Sequence, residues 1–452
     1  VEGGRAMAQA QSGPSTREVL LCDAVHDVPF YRRGVLALSL SMLGVFFGFQ
    51  AAQGLQTSLN ATLGYINLAS LYGAFCLGCL VAPPALARLD AIIGLRGVMF
   101  FSSLAYVAMI FSNMYVEHWA LPISMNVLVG ISAPLLWTCQ NDYIGRCAFH
   151  ASECPVVRSE YAPDTSLETM TATFNSLFFS IYQFSGMSGN VLASVLMLAF
   201  AGNKWMKDVL FIVLGGVSIA GTACFVFMPR VGPADERAEM ASLKATAVLA
   251  FGDRRMTFFI PLIFTNGMLI AFVLGDFPRD IVCPVAGESF TGFVVAAFFG
   301  VNACATALWG RLISKSMISR RTAFVAAGFC QLACLVGKIL WPVPGNYVQH
   351  GTSWDKVSSP SWSSMVIVFV LISLFAAGDA FWESGPPAAL QNFFLGTPHV
   401  VPAMANYKMW QSLGFCAQFV IGAEMGSFPL ARVLILSVLC LVSIASVLVL
   451  DR

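Results

Sequence analysis

Charge is what this sequence has least of. Only 11% of its 452 residues are Asp, Glu, Lys or Arg, and 57% are hydrophobic, whereas about a quarter of a soluble domain is charged. A water-soluble globular chain is excluded, and the apolar content also excludes disorder. Neither sign of charge prevails, since 25 Lys and Arg stand against 24 Asp and Glu, so no basic excess points to nucleic acid. The Gly-x-x-x-x-Gly-Lys-Ser/Thr loop that cradles nucleotide phosphates is missing. The five histidines, His26, His118, His150, His350 and His399, are scattered without metal-ligand spacing. Cys76-x-x-Cys79 lies in an apolar run without a histidine partner and reads as packing. A nucleophile with a matching base is not recognisable either. No enzyme activity, cofactor or metal is therefore expected.

Long apolar runs are present instead. A membrane-spanning helix needs about 20 mostly apolar residues, at 1.5 Å each, to cross a hydrocarbon core of roughly 30 Å. Twelve such runs can be traced: Gly34 to Ser58, Leu68 to Ala87, Ile92 to Phe111, Trp119 to Cys139, Ala172 to Phe200, Val209 to Met228, Met256 to Leu274, Thr291 to Trp309, Thr322 to Trp341, Met365 to Phe381, Val400 to Ala423 and Phe428 to Leu450. They are too long for barrel strands and do not alternate as such strands do. With an even number of spans both termini share one side. Eighteen of the Lys and Arg residues fall on that side, from Arg5, Arg17, Arg32 and Arg33 through Arg88, Arg96, Arg146 and Arg158 to Arg320, Arg321 and Arg452. Only Lys204, Lys207, Arg279 and Lys356 fall on the other. The positive-inside rule then makes both termini cytosolic. Residues 1–33, ending in Tyr31-Arg32-Arg33, form a cytosolic segment without a signal peptide's apolar core and cleavage site, so the first span is expected to remain as an anchor. Among 13 cysteines only Cys283 is expected to face outward, which leaves no disulfide on that face. The outward sequon Asn60-Ala61-Thr62 lies at the end of a span.

The spans divide evenly. Residues 34–228 and 256–450 hold six each, joined by a charge-dense cytosolic linker at 229–255. Two equal six-helix halves around a linker define an all-α polytopic membrane protein with the major facilitator superfamily fold, whose halves are parallel repeats around a midplane cavity. Spans four and ten end in a weak internal echo, Trp137-Thr138-Cys139-Gln140-Asn141 and Trp382-Glu383-Ser384, which interfacial anchoring of the indoles would equally explain.

Polar residues within spans need polar partners or a cavity. Gln50, Gln53 and Thr57 share one helix face. Asn175, Tyr182, Gln183 and Asn190 share another, and Gly186 and Gly189 beside them leave room for a neighbouring helix. Pro261, Asn266 and Gly267 predict an interrupted seventh helix beside a cavity. Lys408, Gln411, Phe415 and Gln418 fall on one stripe of the eleventh. The stripes are candidates for a substrate path, with interhelical hydrogen bonding as the alternative. The first six spans carry no charge at their centres, whereas the second half has Lys338, Asp379, Glu383, Lys408 and Arg432, most of them near helix ends. Lys408 either snorkels to the cytosolic surface or pairs with Asp379 or Glu383.

Taken in order, five patches resemble the UNC-93-like branch of the major facilitator superfamily: Phe49-Gln50-Ala51-Ala52-Gln53-Gly54-Leu55-Gln56-Thr57, Gly130-Ile131-Ser132-Ala133-Pro134 leading to Trp137 and Gln140, Phe174-Asn175-Ser176 leading to Tyr182-Gln183, Gly378-Asp379-Ala380-Phe381-Trp382, and Ala405-Asn406-Tyr407-Lys408-Met409-Trp410-Gln411. The resemblance implies an accessory, regulatory or trafficking subunit of another membrane protein, since members of that branch include a potassium-channel regulator and a receptor-trafficking chaperone. The superfamily's loop after the second span is eroded here to Ala87-Arg88-Leu89-Asp90-Ala91-Ile92-Ile93-Gly94-Leu95-Arg96, a departure that argues against alternating access. The other reading is a facilitative carrier of a small polar solute or cation, lined by Gln50, Gln53, Asn175, Tyr182, Asn266, Lys408 and Gln411. The expected surroundings are the lipid bilayer and, on the first reading, another integral membrane protein.

Overall fold

The computed structural model describes residues 28–153, 167–232, 243–350, 353–394, 397 and 399–450. Most of the N-terminal segment, with Arg5, Arg17, Cys22 and His26, lies outside the described residues. So do Cys154 and Arg158, the middle of the linker with Arg237, and Arg452.

The chain is a helical bundle. Its first half is built from α1 (Val28–Leu59), α2 (Ala61–Ser112), α3 (Ala120–Ser152), α4 (Leu167–Ala199) and α5 (Met206–Cys224). A short α6 (Leu243–Gly252) leads to α7 (Arg254–Ala271), which continues through two π-helical stretches, Phe272–Asp276 and Pro278–Val282, into α8 (Cys283–Ala286). Then follow α9 (Thr291–Ser314), α10 (Arg320–Leu340), a hairpin of β1 (Tyr347–His350) and β2 (Ser353–Lys356), α11 (Trp362–Phe394), α12 (Val400–Glu424) and α13 (Pro429–Leu450). The end of the bundle at which α1 begins is called here the near end, and the end at which it finishes the far end.

Ten segments are long and apolar enough to cross a membrane, against the twelve expected. The two that fall short are α4 and α12. Both are helical, but Asn175, Tyr182, Gln183 and Asn190 on one, and Asn406, Lys408, Gln411 and Gln418 on the other, lower their hydropathy. Such helices need shelter. They have it, because α4 packs against α1 and α9, and α12 against α2 and α7.

Local chemistry explains the turns. Asn60 caps α2, its side chain accepting from the Leu63 amide at 3.2 Å. The helical run of α2 holds two candidate spans, Thr62–Ala82 and Pro84–Tyr115, and breaks at Gly94, whose φ of 71° disfavours a side chain. Near this break Asp90 pairs with Arg146 of α3 at 2.6 Å, Arg146 pairs with Asp142 at 2.7 Å, and Arg96 donates to the Met228 carbonyl at 2.7 Å. The eroded loop is thus tied on both sides. Asp253 caps α7 by accepting from the Arg255 amide at 2.8 Å, and the Arg255 side chain holds its carboxyl below the usual carboxylate range.

The seventh span differs from expectation. Neither Pro261 nor Gly267 interrupts α7, and the helix runs on past Leu274 to Ala286. Asp276, Arg279 and Asp280 end the apolar run in the sequence, but in the structure Arg432 pairs with both aspartates. Cys283, placed by sequence in an outer loop, is buried in this extension.

Buried side chains form two clusters. One spans Tyr31 to Met228 with Ile270, Ala271, Leu274, Phe415 and Phe419, and the other runs from Leu249 to Val447. They meet along two seams, α2 with α12 and α4 with α9. At the far end the hairpin reaches across to the first half, the Trp354 indole donating to the Ser58 carbonyl of α1 at 3.2 Å. Within the second cluster α7 and α12 touch backbone to backbone. A Cβ at Gly267 would collide with the Gln411 carbonyl, and one at Gly414 with the Phe264 carbonyl. Replacing Gly414 by Val should part these helices and cost about 1–3 kcal/mol. A thermal melt of the detergent-purified protein indistinguishable from wild type would contradict the contact.

Candidate functional site

Close approach of α7 and α12 aligns a chain of polar side chains at the centre of the bundle. Asp379 of α11 is fully buried. One of its carboxylate oxygens accepts from the Asn266 amide of α7 at 3.0 Å, the other from the Asn302 amide of α9 at 2.9 Å. Asn266 in turn accepts from the Gln411 amide at 2.9 Å, and Gln411 accepts from the Lys408 ammonium at 3.2 Å. Gln411 also donates to the Tyr407 hydroxyl at 3.3 Å. The ammonium lies 5.0 Å from the Tyr407 ring centre and 5.9 Å from that of Trp137, within cation–π range. Trp137 belongs to α3, so Lys408 carries the chain across to the first half.

There it meets an aromatic group. Trp137 packs on Phe46 and Tyr182 at 5.3 Å each, and the Tyr182 hydroxyl accepts from Gln50 at 3.0 Å. Gln53 donates to the Tyr72 hydroxyl at 2.6 Å, and Tyr72 stacks on Phe415 across the seam at 4.1 Å. Gln50, Gln53, Trp137, Tyr182, Asn266, Asp379, Lys408 and Gln411 therefore surround one region. Lys408 forms no ion pair with a described carboxylate, and only amides join it to Asp379.

Other candidates lie elsewhere. Thr57 donates to the Gly275 carbonyl at 3.1 Å, closing α1 on the seventh span toward the far end. Asn175 donates to the Thr171 carbonyl of its own helix at 2.9 Å. Gln183 is half-buried on α4, and Gln140 is fully buried on α3. Trp382 is a core residue of the second cluster, its indole donating to the Phe324 carbonyl at 2.9 Å.

Two features escape a reading of the sequence. Asn302 stands alone in the apolar run of α9, and only the fold brings it to Asp379. At the far end Arg432 of α13 pairs with Asp276, and with Asp280 at 2.6 Å. Asp276 also accepts from the Tyr65 hydroxyl of α2 at 2.7 Å and from Gln418 at 2.6 Å. A single arginine in so apolar a run as Phe428 to Leu450 was the available signal, since a charge at that depth needs partners. The i, i+4 aspartates before Cys283 supply them.

The family model described as "Ion channel regulatory protein UNC-93" matches residues 56–448. The chain belongs to the UNC-93 family. Among curated UNC-93 relatives, "Protein unc-93 homolog A" of Bos taurus is 26% identical, covering 86% of each chain. "UNC93-like protein 3" of Arabidopsis thaliana is 24% identical over 86% of this chain and 80% of its own. The Caenorhabditis elegans "Putative potassium channel regulatory protein unc-93" is 21% identical over 85% of this chain and 56% of its own. Solved structures place the UNC-93 chain in the major facilitator fold. The nucleoside transporter NupG superposes with a TM-score of 0.63 at 10% identity, over 93% of this chain and 99% of its own. A D-xylose-proton symporter does so at 0.59 and 12%, over 92% and 96%.

The far-end ion cluster yields a stability test. Arg432→Ala leaves the buried Asp276 carboxylate without its cation, with part-buried Asp280 beside it, in this UNC-93 protein and should cost about 3–5 kcal/mol. Arg432→Met combined with Asp276→Asn and Asp280→Asn should recover most of that loss in thermal melts. A triple variant as unstable as the single one would refute charge pairing as the cause.

Proposed function

We propose that this UNC-93 protein works as an accessory, regulatory or trafficking subunit of another membrane protein, with an ion channel as the first partner to seek. The match of residues 56–448 to a family described as ion channel regulators carries this reading. The name of the worm relative supports it, and so does the tying of the eroded near-end loop by Asp90, Arg146 and Arg96. Described residues outside the helices amount to little more than the β1–β2 hairpin and short turns. A partner would meet the bundle wall, the hairpin or the linker at 229–255. We take the near end, where Arg32, Arg33, Arg146, Arg230, Arg320 and Arg321 gather, as cytosolic, and 34–228 and 256–450 as the two halves.

A second reading is facilitative passage of a small polar solute or cation. The grouping of Gln50, Gln53, Tyr182, Asn266, Lys408 and Gln411 from both halves around one region favours it.

Extraction from the native membrane in mild detergent, with the mass and composition of the particle determined, separates the two. A stoichiometric companion protein is the expected outcome. If the particle is a lone 48.6 kDa chain, the subunit reading fails. The carrier reading is tested in liposomes, where Lys408→Ala and Gln53→Ala should abolish solute uptake without changing expression. Should both variants transport as wild type does, that reading falls.

A further inference from the structure

The central chain of hydrogen bonds has a direction. An ammonium only donates, so Gln411 must turn its oxygen to Lys408 and its NH2 to Asn266. Asn266 must then present its oxygen to Gln411 and its NH2 to Asp379. The donor-only ammonium end leaves one consistent orientation for both amides. It is the arrangement observed. Asn302 faces the second carboxylate oxygen in the same donor sense, with a weaker contact of 3.5 Å from Thr306 to its own oxygen.

The buried Asp379 carboxylate thus meets N–H groups on both oxygens, and no cation lies within ion-pair distance among the described residues. Donor groups turned toward the carboxylate leave no ring of oxygens for a metal cation, but they leave each oxygen able to take a proton. We propose that Asp379 is a proton-binding site whose occupancy is linked, through the amides of Asn266 and Gln411, to the seating of the Lys408 ammonium against Trp137 of the first half.

The linkage follows from hydrogen-bond polarity. A proton placed on the lone pair that Asn266 now occupies sets donor against donor, and Asn266 then turns. Its NH2 then faces Gln411, Gln411 must turn as well, and Lys408 loses its acceptor. Conversely, while the ammonium is seated it holds the relay in the sense that favours the carboxylate. The coupling is reciprocal. It is also local. The titratable groups around Asp379 are Glu383 on the same helix and Tyr407 and Lys408 on α12. From α7 and α9 come the amides of Asn266 and Asn302, while α10 presents Gln331 beside Gly378 and carries Arg320, Arg321 and Lys338 at its ends. Lys408 and Gln411 are positioning residues in this scheme, since neither touches the carboxylate. The inference stands whether the protein regulates a partner or carries a solute.

The test is an infrared pH titration of the full-length protein in lipid nanodiscs, following the carbonyl stretch of protonated carboxylic acids. A titrating band present in wild type and in Glu383→Gln should be absent from Asp379→Asn. Lys408→Met should move its midpoint upward by about one pH unit or more, a tenfold change in proton affinity. Gln411→Leu should move it in the same direction, the double variant no further than either single change, and Lys408→Arg should restore the wild-type midpoint. If the band survives in Asp379→Asn, Asp379 is not the site. Should that variant fail to fold, the midpoints of the other variants decide alone. An unmoved midpoint in Lys408→Met, or additive shifts in the double variant, would overturn the relay.

Discussion

A polar group taken into hydrocarbon has to find its hydrogen bonds within the protein, because no water competes to supply them. That constraint arranges this bundle. The two most polar helices, α4 and α12, lie on the seams between the core clusters. Where α12 lies against α7, Gly267 and Gly414 bring the backbones into contact, and the same contact brings Gln411 to Asn266 and so completes the path from Lys408 to Asp379. Packing and polarity are satisfied by one arrangement. Either alone would leave the other unmet.

The second consequence lies at the far end. Asp276 and Asp280 are tolerable inside the bundle because Arg432 meets both, and Tyr65 and Gln418 complete the hydrogen bonding around Asp276. Tyr65 comes from the first half and the others from the second, so the cluster around Asp276 also joins the halves there. Thr57 and Trp354 add bonds across the same end. Toward the near end the halves meet in another way, through a lysine over an indole and through Tyr72 stacked on Phe415. One end rests on an ion cluster and the middle on contacts with neutral partners. Contacts so unequal in kind are held by different physical forces, an ion cluster at one end and cation–π and aromatic contacts in the middle.

Much of this was legible from residue order. Hydropathy located the helices, and the five patches from Phe49 to Gln411 were enough for the family. The stripe through Lys408 and Gln411 and the pair Gln50 and Gln53 were readable because helical spacing places them on one face. The length of the seventh span was not readable, since Asp276 and Asp280 look like a loop until Arg432, more than 150 residues away in sequence, is set beside them. Trp382 echoes Trp137 in the sequence, but one indole lies in the core and the other on the seam. The seam sets them apart, and no local pattern encodes it.

By itself the sequence determined that this is a multi-pass membrane protein of the major facilitator fold, because apolar length and family pattern are local properties that survive without coordinates. Tertiary structure alone decided which polar residues meet. A lone Asn302, a half-buried Lys408 and a buried Asp379 acquire meaning from distances between helices, and those distances are set by backbone contacts such as that of Gly267 with Gln411.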